Sequence, residues 1–220
     1  MFVVAHSDDE TIGAGSSIRK HVLNGDTVSV IAMTDGVSSR SLKDKNAPKI
    51  RKLAAQNAAQ ILGFDWIGNY DFPDNQMDTH SLLEVVKIIE DVKEELRPEL
   101  VYTHSGSDLN IDHRIVAEAV VTACRPQPKE CVKEIRMFEV PSSTDYGHNS
   151  LFGDFVPNLF INAEKNWEEK IAALAAYKNE MREHPHSRSM EGIENLARYR
   201  GNQVGLKLAE AFQVIRKIEL

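Results

Sequence analysis

The feature that most constrains the fold is a regular alternation of short apolar runs with longer helical segments. Residues 2–5 form an apolar run, residues 13–24 follow as a helix, and residues 27–33 alternate and are rich in β-branched side chains. The same patterns predict further strands at 65–69, 100–103, 134–140 and 155–161, and helices at 48–62, 81–96, 113–123, 167–183 and 190–215. Such interleaving predicts an α/β fold, a three-layer α/β/α sandwich around a mostly parallel, Rossmann-like sheet.

Length and composition predict a single domain over residues 1–220. The chain is long enough to bury a substantial core, its hydrophobic content is 42%, and no repeat or composition break divides it.

The net charge of −7 argues against a general nucleic-acid or membrane-surface binder, which would rely on clustered Lys and Arg. No apolar run reaches membrane-spanning length. The two cysteines, Cys124 and Cys131, are expected to be reduced, and we expect a cytoplasmic protein.

Imidazole and carboxylate side chains follow two of the predicted strands. Residues 3–10 read VVAHSDDE, so His6, Asp8 and Asp9 come directly after the first apolar run. Residues 108–113 read DLNIDH and stand between a later strand and the helix that follows it. In open parallel sheets the ligand crevice lies beyond the carboxyl ends of the strands, so we expect both clusters to meet there.

This inventory predicts a metal-assisted hydrolase. His6, Asp9 and His113 supply two imidazoles and one carboxylate, a set that leaves coordination positions open, as in catalytic zinc sites. Zn2+ is therefore the expected ion. The same donors also suit Fe(II), so Fe2+ or another divalent ion is left open. Asp8 remains as a general base, and Asp112 is expected to support the neighbouring His113 through its ring N–H. The non-functional alternatives are that His6 only satisfies its own turn, and that Asp8, Asp9 and Asp112 only cap the helices that follow them.

The AHSDDE and DLNIDHR segments together resemble the signature segments of the LmbE/PIG-L family of zinc-dependent de-N-acetylases. Weaker likenesses follow in order along the chain: MTDG at 33–36, ILG at 61–63, FPD at 72–74, and a closing run, 200–212, similar to the family's C-terminal helix. The resemblance implies an LmbE-like fold and removal of an acetyl group from an N-acetylglucosamine-type sugar or conjugate. Products would be acetate and a free amine.

Two positions depart from that family pattern. Ser7 stands where proline is usual, which changes turn stiffness without removing a ligand. Asn110 stands where several members have a histidine that assists the transition state, and an amide has no proton to give. Asn110 is therefore expected only to hydrogen-bond the substrate or its oxyanion. The candidate proton donors to the leaving amine are Asp8 itself, His104, and the histidine pair His184 and His186.

A sugar substrate calls for carboxylates and guanidinium groups that bind hydroxyls or a phosphate. The shortlist is Arg40, Asp74, Arg188 and Arg200, each with surface ion pairing as its simpler alternative. The loop at 34–47, on the expected catalytic side, is long enough to be functional.

Two other functions remain open at the level of sequence. The same metal set would also hydrolyse a different amide-linked amino-sugar conjugate. A non-catalytic sugar- or nucleotide-binding α/β domain would fit the Asn110 departure. A dinucleotide site is disfavoured because Ile18 stands at the third glycine position of the fingerprint. The helix-rich C-terminal third offers a surface for homo-oligomer formation.

Overall fold

The computed structural model describes residues 1–39 and 46–219, and within these ranges seven strands form one sheet. The strands are β1 (Phe2–Val4), β2 (Ser29–Thr34), β3 (Asp65–Phe72), β4 (Leu100–His104), β5 (Glu134–Phe138), β6 (Leu159–Asn162) and β7 (Ala209–Lys217). The helices are α1 (Asp9–Leu23), α2 (Ala47–Leu62), α3 (Leu82–Leu96), α4 (Ile111–Ala123), α5 (Asn149–Phe152), α6 (Trp167–Ala176) and α7 (Met190–Asn202), with single 3-10 turns at Met77–Thr79 and Glu164–Asn166.

The sheet has the order β3-β2-β1-β4-β5-β7-β6 and is parallel from β3 through β5. Strand β7 runs antiparallel to both of its neighbours, β5 and β6. The chain adds strands on one side of β1 as far as β3 and then crosses to its other side with β4. This reversal creates a switch point between β1 and β4, where a crevice forms beyond the strand ends.

Helices cover both faces of the sheet, which confirms the predicted three-layer α/β fold. One core packs α1, α2, α6 and α7 against the sheet through Ile18, Leu62, Leu174, Tyr177 and Ile193. The other packs α3 and α4 through Val85, Ile89, Val116 and Val120. Across the described ranges, none of the helices combines the length and the apolar character needed to cross a membrane.

The C-terminal third differs from the predicted helices. α7 ends at Asn202, and the predicted helix over 190–215 is wrong beyond that point because Ala209–Lys217 forms β7. The likeness of this run to a C-terminal helix is therefore wrong as well. Alanine and glutamate favour a helix locally, but pairing between β5 and β6 outweighs that preference. Similarly, α6 stops at Ala176 instead of reaching residue 183.

Helix α1 begins at Asp9, four residues before its predicted start, and is broken at Ala14, where φ is −145°. Side chains satisfy the backbone groups released by the break. The Glu210 carboxylate accepts the N–H groups of residues 16 and 17 at 2.9 and 2.7 Å. Lys170 donates to the Ile12 carbonyl at 2.8 Å and pairs with Glu210 at 2.6 Å. The break thus leaves the first turn of α1, which carries the acidic segment, tied to α6 and β7.

Candidate metal centre and active site

Both polar clusters lie at the switch point, as their positions after β1 and β4 predicted. His6 and Asp9 follow β1, and His113 lies in the first turn of α4. The His6 Nδ1 atom is 3.2 Å from Asp9 Oδ2 and 3.2 Å from His113 Nε2. The third side of the triangle, from His113 Nε2 to Asp9 Oδ2, measures 3.3 Å. All three residues are buried.

The triangle has the dimensions of one face of a tetrahedral metal site. Ligand atoms about 2.0 Å from a tetrahedral ion lie about 3.3 Å from one another. In addition, Asp9 Oδ1 has no hydrogen-bond partner among the described residues although it is buried. An uncompensated buried carboxylate oxygen is costly without a cation or donor nearby. His6, Asp9 and His113 therefore fit a divalent ion with at least one open position.

Asp112 hydrogen-bonds to His6. Its Oδ2 lies 3.2 Å from His6 Nε2, while its two oxygens accept the backbone N–H groups of Asn75 at 2.7 Å and Met77 at 3.1 Å. We expected Asp112 to support His113, its neighbour in sequence, but the turn that starts α4 directs it to His6 instead. It fixes the His6 ring so that Nδ1 faces the candidate metal position.

Asp74 shares this role. Its Oδ1 lies 3.1 Å from His6 Nε2, and its Oδ2 accepts the Ser39 hydroxyl proton. Burial raises the pKa of Asp74, but the hydrogen bond and charge of His6, together with Ser39, outweigh burial and lower it to about 2. His6, Asp74 and Asp112 also lie close enough to be considered a metal-binding group. Since protein donors already occupy both carboxylates, we interpret them as supports for His6.

His104 lies beneath the site. Its ring stacks on His113 with centroids 3.9 Å apart, and its Nε2 accepts the Ala5 N–H at 2.8 Å. Burial, assisted by the charge of His113, holds the pKa of His104 well below its usual range, so the ring is neutral. A neutral, fully buried ring suits structural support better than delivery of a proton to the leaving amine.

The two carboxylate oxygens of Asp8 have different surroundings. Oδ1 accepts Arg51 Nη2 at 2.9 Å, whereas Oδ2 has no hydrogen-bond partner in the described ranges and lies 3.6 Å from Arg188 Nη1. Burial raises the pKa of Asp8, and the charge of Asp9 adds to this, while Arg51 and Arg188 oppose it. A carboxylate with one anchored oxygen and one oxygen that lacks a hydrogen-bond donor is suited to accept a proton.

Arg51 is a site residue that we did not predict. It also donates to Ser7 Oγ at 3.1 Å and pairs with Glu180 at 3.0 Å. The signal was present in the sequence: Arg51 shares the buried stripe of α2 with Ala55, Ala58, Ala59 and Leu62. A lone arginine on an otherwise apolar helix face indicates a buried ionic partner.

Comparison with known proteins assigns the family. The family profile described as GlcNAc-PI de-N-acetylase, PIG-L, matches residues 1–124, which include all three candidate ligands. The chain belongs to the PIG-L family. This confirms the resemblance first seen in AHSDDE and DLNIDHR.

Individual relatives extend the likeness over most of the chain. This PIG-L protein is 27% identical over 182 residues to the uncharacterized deacetylase YaiS of Escherichia coli K12, covering 80% of this chain and 88% of YaiS. It is 24% identical over 187 residues to a probable N-acetyl-alpha-D-glucosaminyl L-malate deacetylase 2 of Bacillus cereus, with 82% of each covered. The N,N'-diacetylchitobiose deacetylase of Pyrococcus horikoshii shares the fold, with a TM-score of 0.78 at 18% identity, covering 98% of this chain and 82% of that one.

Not every predicted site residue of this PIG-L protein lies near the metal position. Asn110 caps α4, accepting the Asp112 N–H at 2.8 Å. Arg188 contacts Asp8, as described, and Ser142 at 3.1 Å. Arg200 instead forms a two-pronged ion pair with Glu139, both contacts at 2.7 Å. Arg40 lies outside the described residues.

The histidine pair at 184 and 186 lies on the segment before α7. His184 is exposed and pairs with Glu191 at 3.3 Å, and His186 accepts the Arg188 N–H at 3.0 Å. Neither contacts the candidate ligands in the described structure. His186 contacts the Arg188 backbone, and His184 pairs with Glu191 on α7.

A cavity of about 530 Å³ lies on the α2 and β3 side of Arg51, and its lining residues do not include His6, Asp9 or His113. Arg51, whose guanidinium binds Asp8, forms part of its wall with Ser7, and α2 and β3 supply the rest, including Trp66, Asn69 and Asp71. Its volume falls in the range of small-ligand pockets, and its mixture of an indole with amides and carboxylates suits a polar molecule.

Proposed function

We propose that this PIG-L protein is a metal-dependent hydrolase that removes the N-acetyl group from an N-acetylated sugar, giving acetate and a free amine. The observation that carries the proposal is the face formed by His6, Asp9 and His113, with Asp8 next to Asp9 in the chain. The names of the Bacillus and Pyrococcus relatives support an N-acetylated sugar or sugar conjugate as substrate. Zn2+ is the proposed ion, and Fe2+ suits the same donors.

Chemistry at this site divides between the ion and Asp8. His6, Asp9 and His113 would hold the divalent ion, which would supply polarisation of the acetamide carbonyl and would lower the pKa of water toward ~7. Asp8 accepts the proton of the attacking water on Oδ2 while Arg51 holds Oδ1 in place. As the C–N bond breaks, Asp8 returns that proton to the nitrogen. Water is consumed, and acetate and amine are released.

The substrate-binding side of the proposal rests on Arg188. It is the member of the shortlist that borders Asp8 and keeps part of its side chain exposed. Asp74 is fully engaged with His6 and Ser39, so its contribution is to the metal centre. Arg200 is engaged by Glu139 and is proposed to brace α7.

We further propose a cytoplasmic enzyme whose partner is a small sugar molecule. Both cysteines are free thiols, as expected for a reducing compartment. The Bacillus and Pyrococcus relatives are named for small N-acetylated sugar substrates, which is the substrate class proposed here. Self-association remains a prediction from the helical surface of the C-terminal third.

The test is metal content per chain, measured by elemental analysis on wild-type protein purified without added metal. We expect about one zinc or iron per chain, lost in His6→Ala and in His113→Ala because each removes one ligand of three. His184→Ala is the matched control, since it removes an exposed histidine whose partner among the described residues is Glu191. Wild-type protein without metal after equilibration with zinc would contradict the proposal and favour a non-catalytic binding domain.

A further inference from the structure

Asp108 is a buried carboxylate that the proposed reaction steps do not use. It is fully buried and accepts hydrogen bonds from several directions. Its Oδ2 lies 3.1 Å from His113 Nδ1 and accepts the Thr144 hydroxyl at 2.7 Å. Its Oδ1 accepts the Asn110 N–H at 2.8 Å and the Ser143 hydroxyl. A carboxylate in such surroundings is ionised and fixed in orientation.

His113 needs such a partner if it binds a metal. Its Nε2 faces His6 and Asp9, so Nε2 must carry the lone pair and Nδ1 must carry the proton. An N–H group buried without an acceptor is costly. Asp108 Oδ2 is the near acceptor, because the Ser143 hydroxyl lies at 3.5 Å and is directed to Asp108.

We propose that Asp108 is the positioning residue of His113: its carboxylate selects the Nδ1–H tautomer and fixes the ring for metal binding. Ser143 and Thr144, in the turn after β5, hold Asp108 in turn. The inference rests on the metal site of the proposed function. It gives each ligand histidine its own carboxylate support, Asp108 for His113 and Asp112 together with Asp74 for His6.

The test compares metal affinity, measured by chelator competition, in wild type and Asp108→Asn. An amide offers one acceptor oxygen in place of two and cannot serve His113 and both hydroxyls together. We expect affinity to fall about 10- to 100-fold, the usual cost of losing a carboxylate behind a ligand histidine. The visible absorption of the Co2+-loaded protein should change as well, since the His113 ring is no longer fixed.

Asp145→Asn is the matched control. Asp145 lies on the same turn and accepts the Ser143 N–H at 3.0 Å, but it is exposed and does not contact His113. This variant should keep wild-type affinity and spectrum. If Asp108→Asn fails to fold, Ser143→Ala and Thr144→Val take its place, and each should weaken binding by a smaller factor.

Wild-type affinity and an unchanged Co2+ spectrum in Asp108→Asn would overturn the inference, as would an equal loss in Asp145→Asn. The metal measurements need no substrate, so they separate the two proposals. Metal binding that depends on Asp108, in a protein that releases no acetate, would reject the proposed function alone. A wild-type protein that binds no metal would reject both.

Discussion

Arg51 connects two buried carboxylates that would otherwise repel one another. Asp8 and Glu180 lie within 2.9 and 3.0 Å of its guanidinium, and its side chain is only 7% exposed. Burial by itself lowers the pKa of Arg51, but these carboxylates outweigh burial and raise it above its usual range. Arg51 thus stays charged and keeps Asp8 Oδ1 anchored.

Arg51→Met should therefore destabilise the protein strongly. Removing one partner of a buried ion pair leaves uncompensated charge, at a cost of about 3–5 kcal/mol in the free energy of unfolding. Urea denaturation of the metal-free protein measures this. Arg198→Met is the control, because the Arg198–Glu194 pair is exposed and is expected to contribute below about 1 kcal/mol. Equal losses in the two variants would show that Arg51 is not the buried anchor described here.

The sequence identified candidate ligands but not all of their partners. His6, Asp9 and His113 were predictable because they follow strands whose ends meet in a parallel sheet. The partner of Asp112 was not, because it depends on the turn containing Asn75 and Met77, far away in sequence. Contacts of this kind depend on how separate loops pack, which residue spacing does not encode.

At the scale of elements, local propensity and sheet pairing disagree in the last segment. β7 was predicted as a helix, and its alanine and glutamate residues give no strong strand signal. Its position between β5 and β6 overrides that preference. The same strand places Glu210 at the break in α1. The strand conformation of β7 therefore supports the helix that carries Asp9.

Glu210→Ala should accordingly lower stability by about 3–5 kcal/mol, since Lys170 is left buried and unpaired. The backbone N–H groups of residues 16 and 17 lose their acceptor at the same time. Thermal unfolding followed by circular dichroism measures the loss. Glu219→Ala removes only an exposed partner of Lys217 and should leave the midpoint unchanged. A Glu210→Ala midpoint equal to wild type would contradict this role of Glu210.

At the scale of the whole molecule, the α/β alternation was predictable, since it follows from hydrophobic periodicity along most of the chain. The family profile ends at residue 124, just after α4. The later elements complete the same sheet and cover α1 and α2, with α6 contributing Leu174 and α7 contributing Ile193 to one core. We propose on this basis that residues 1–220 form a single domain.

A single domain should unfold in one cooperative transition. Calorimetry of the metal-free protein should give equal calorimetric and van't Hoff enthalpies, because the sheet and both cores are shared by early and late elements. Two separate transitions would contradict the single-domain proposal, if a fragment of residues 1–124 also shows one of them by itself.

The most direct test of the account is acetate release from N-acetylglucosamine and its conjugates by metal-loaded wild type and Asp8→Asn. The substitution preserves shape and leaves His6, Asp9 and His113 in place, so metal content should not change. Loss of the proton acceptor should reduce the rate of acetate release about 10²- to 10⁴-fold. Asp8→Asn protein that releases acetate at the wild-type rate would contradict the central claim.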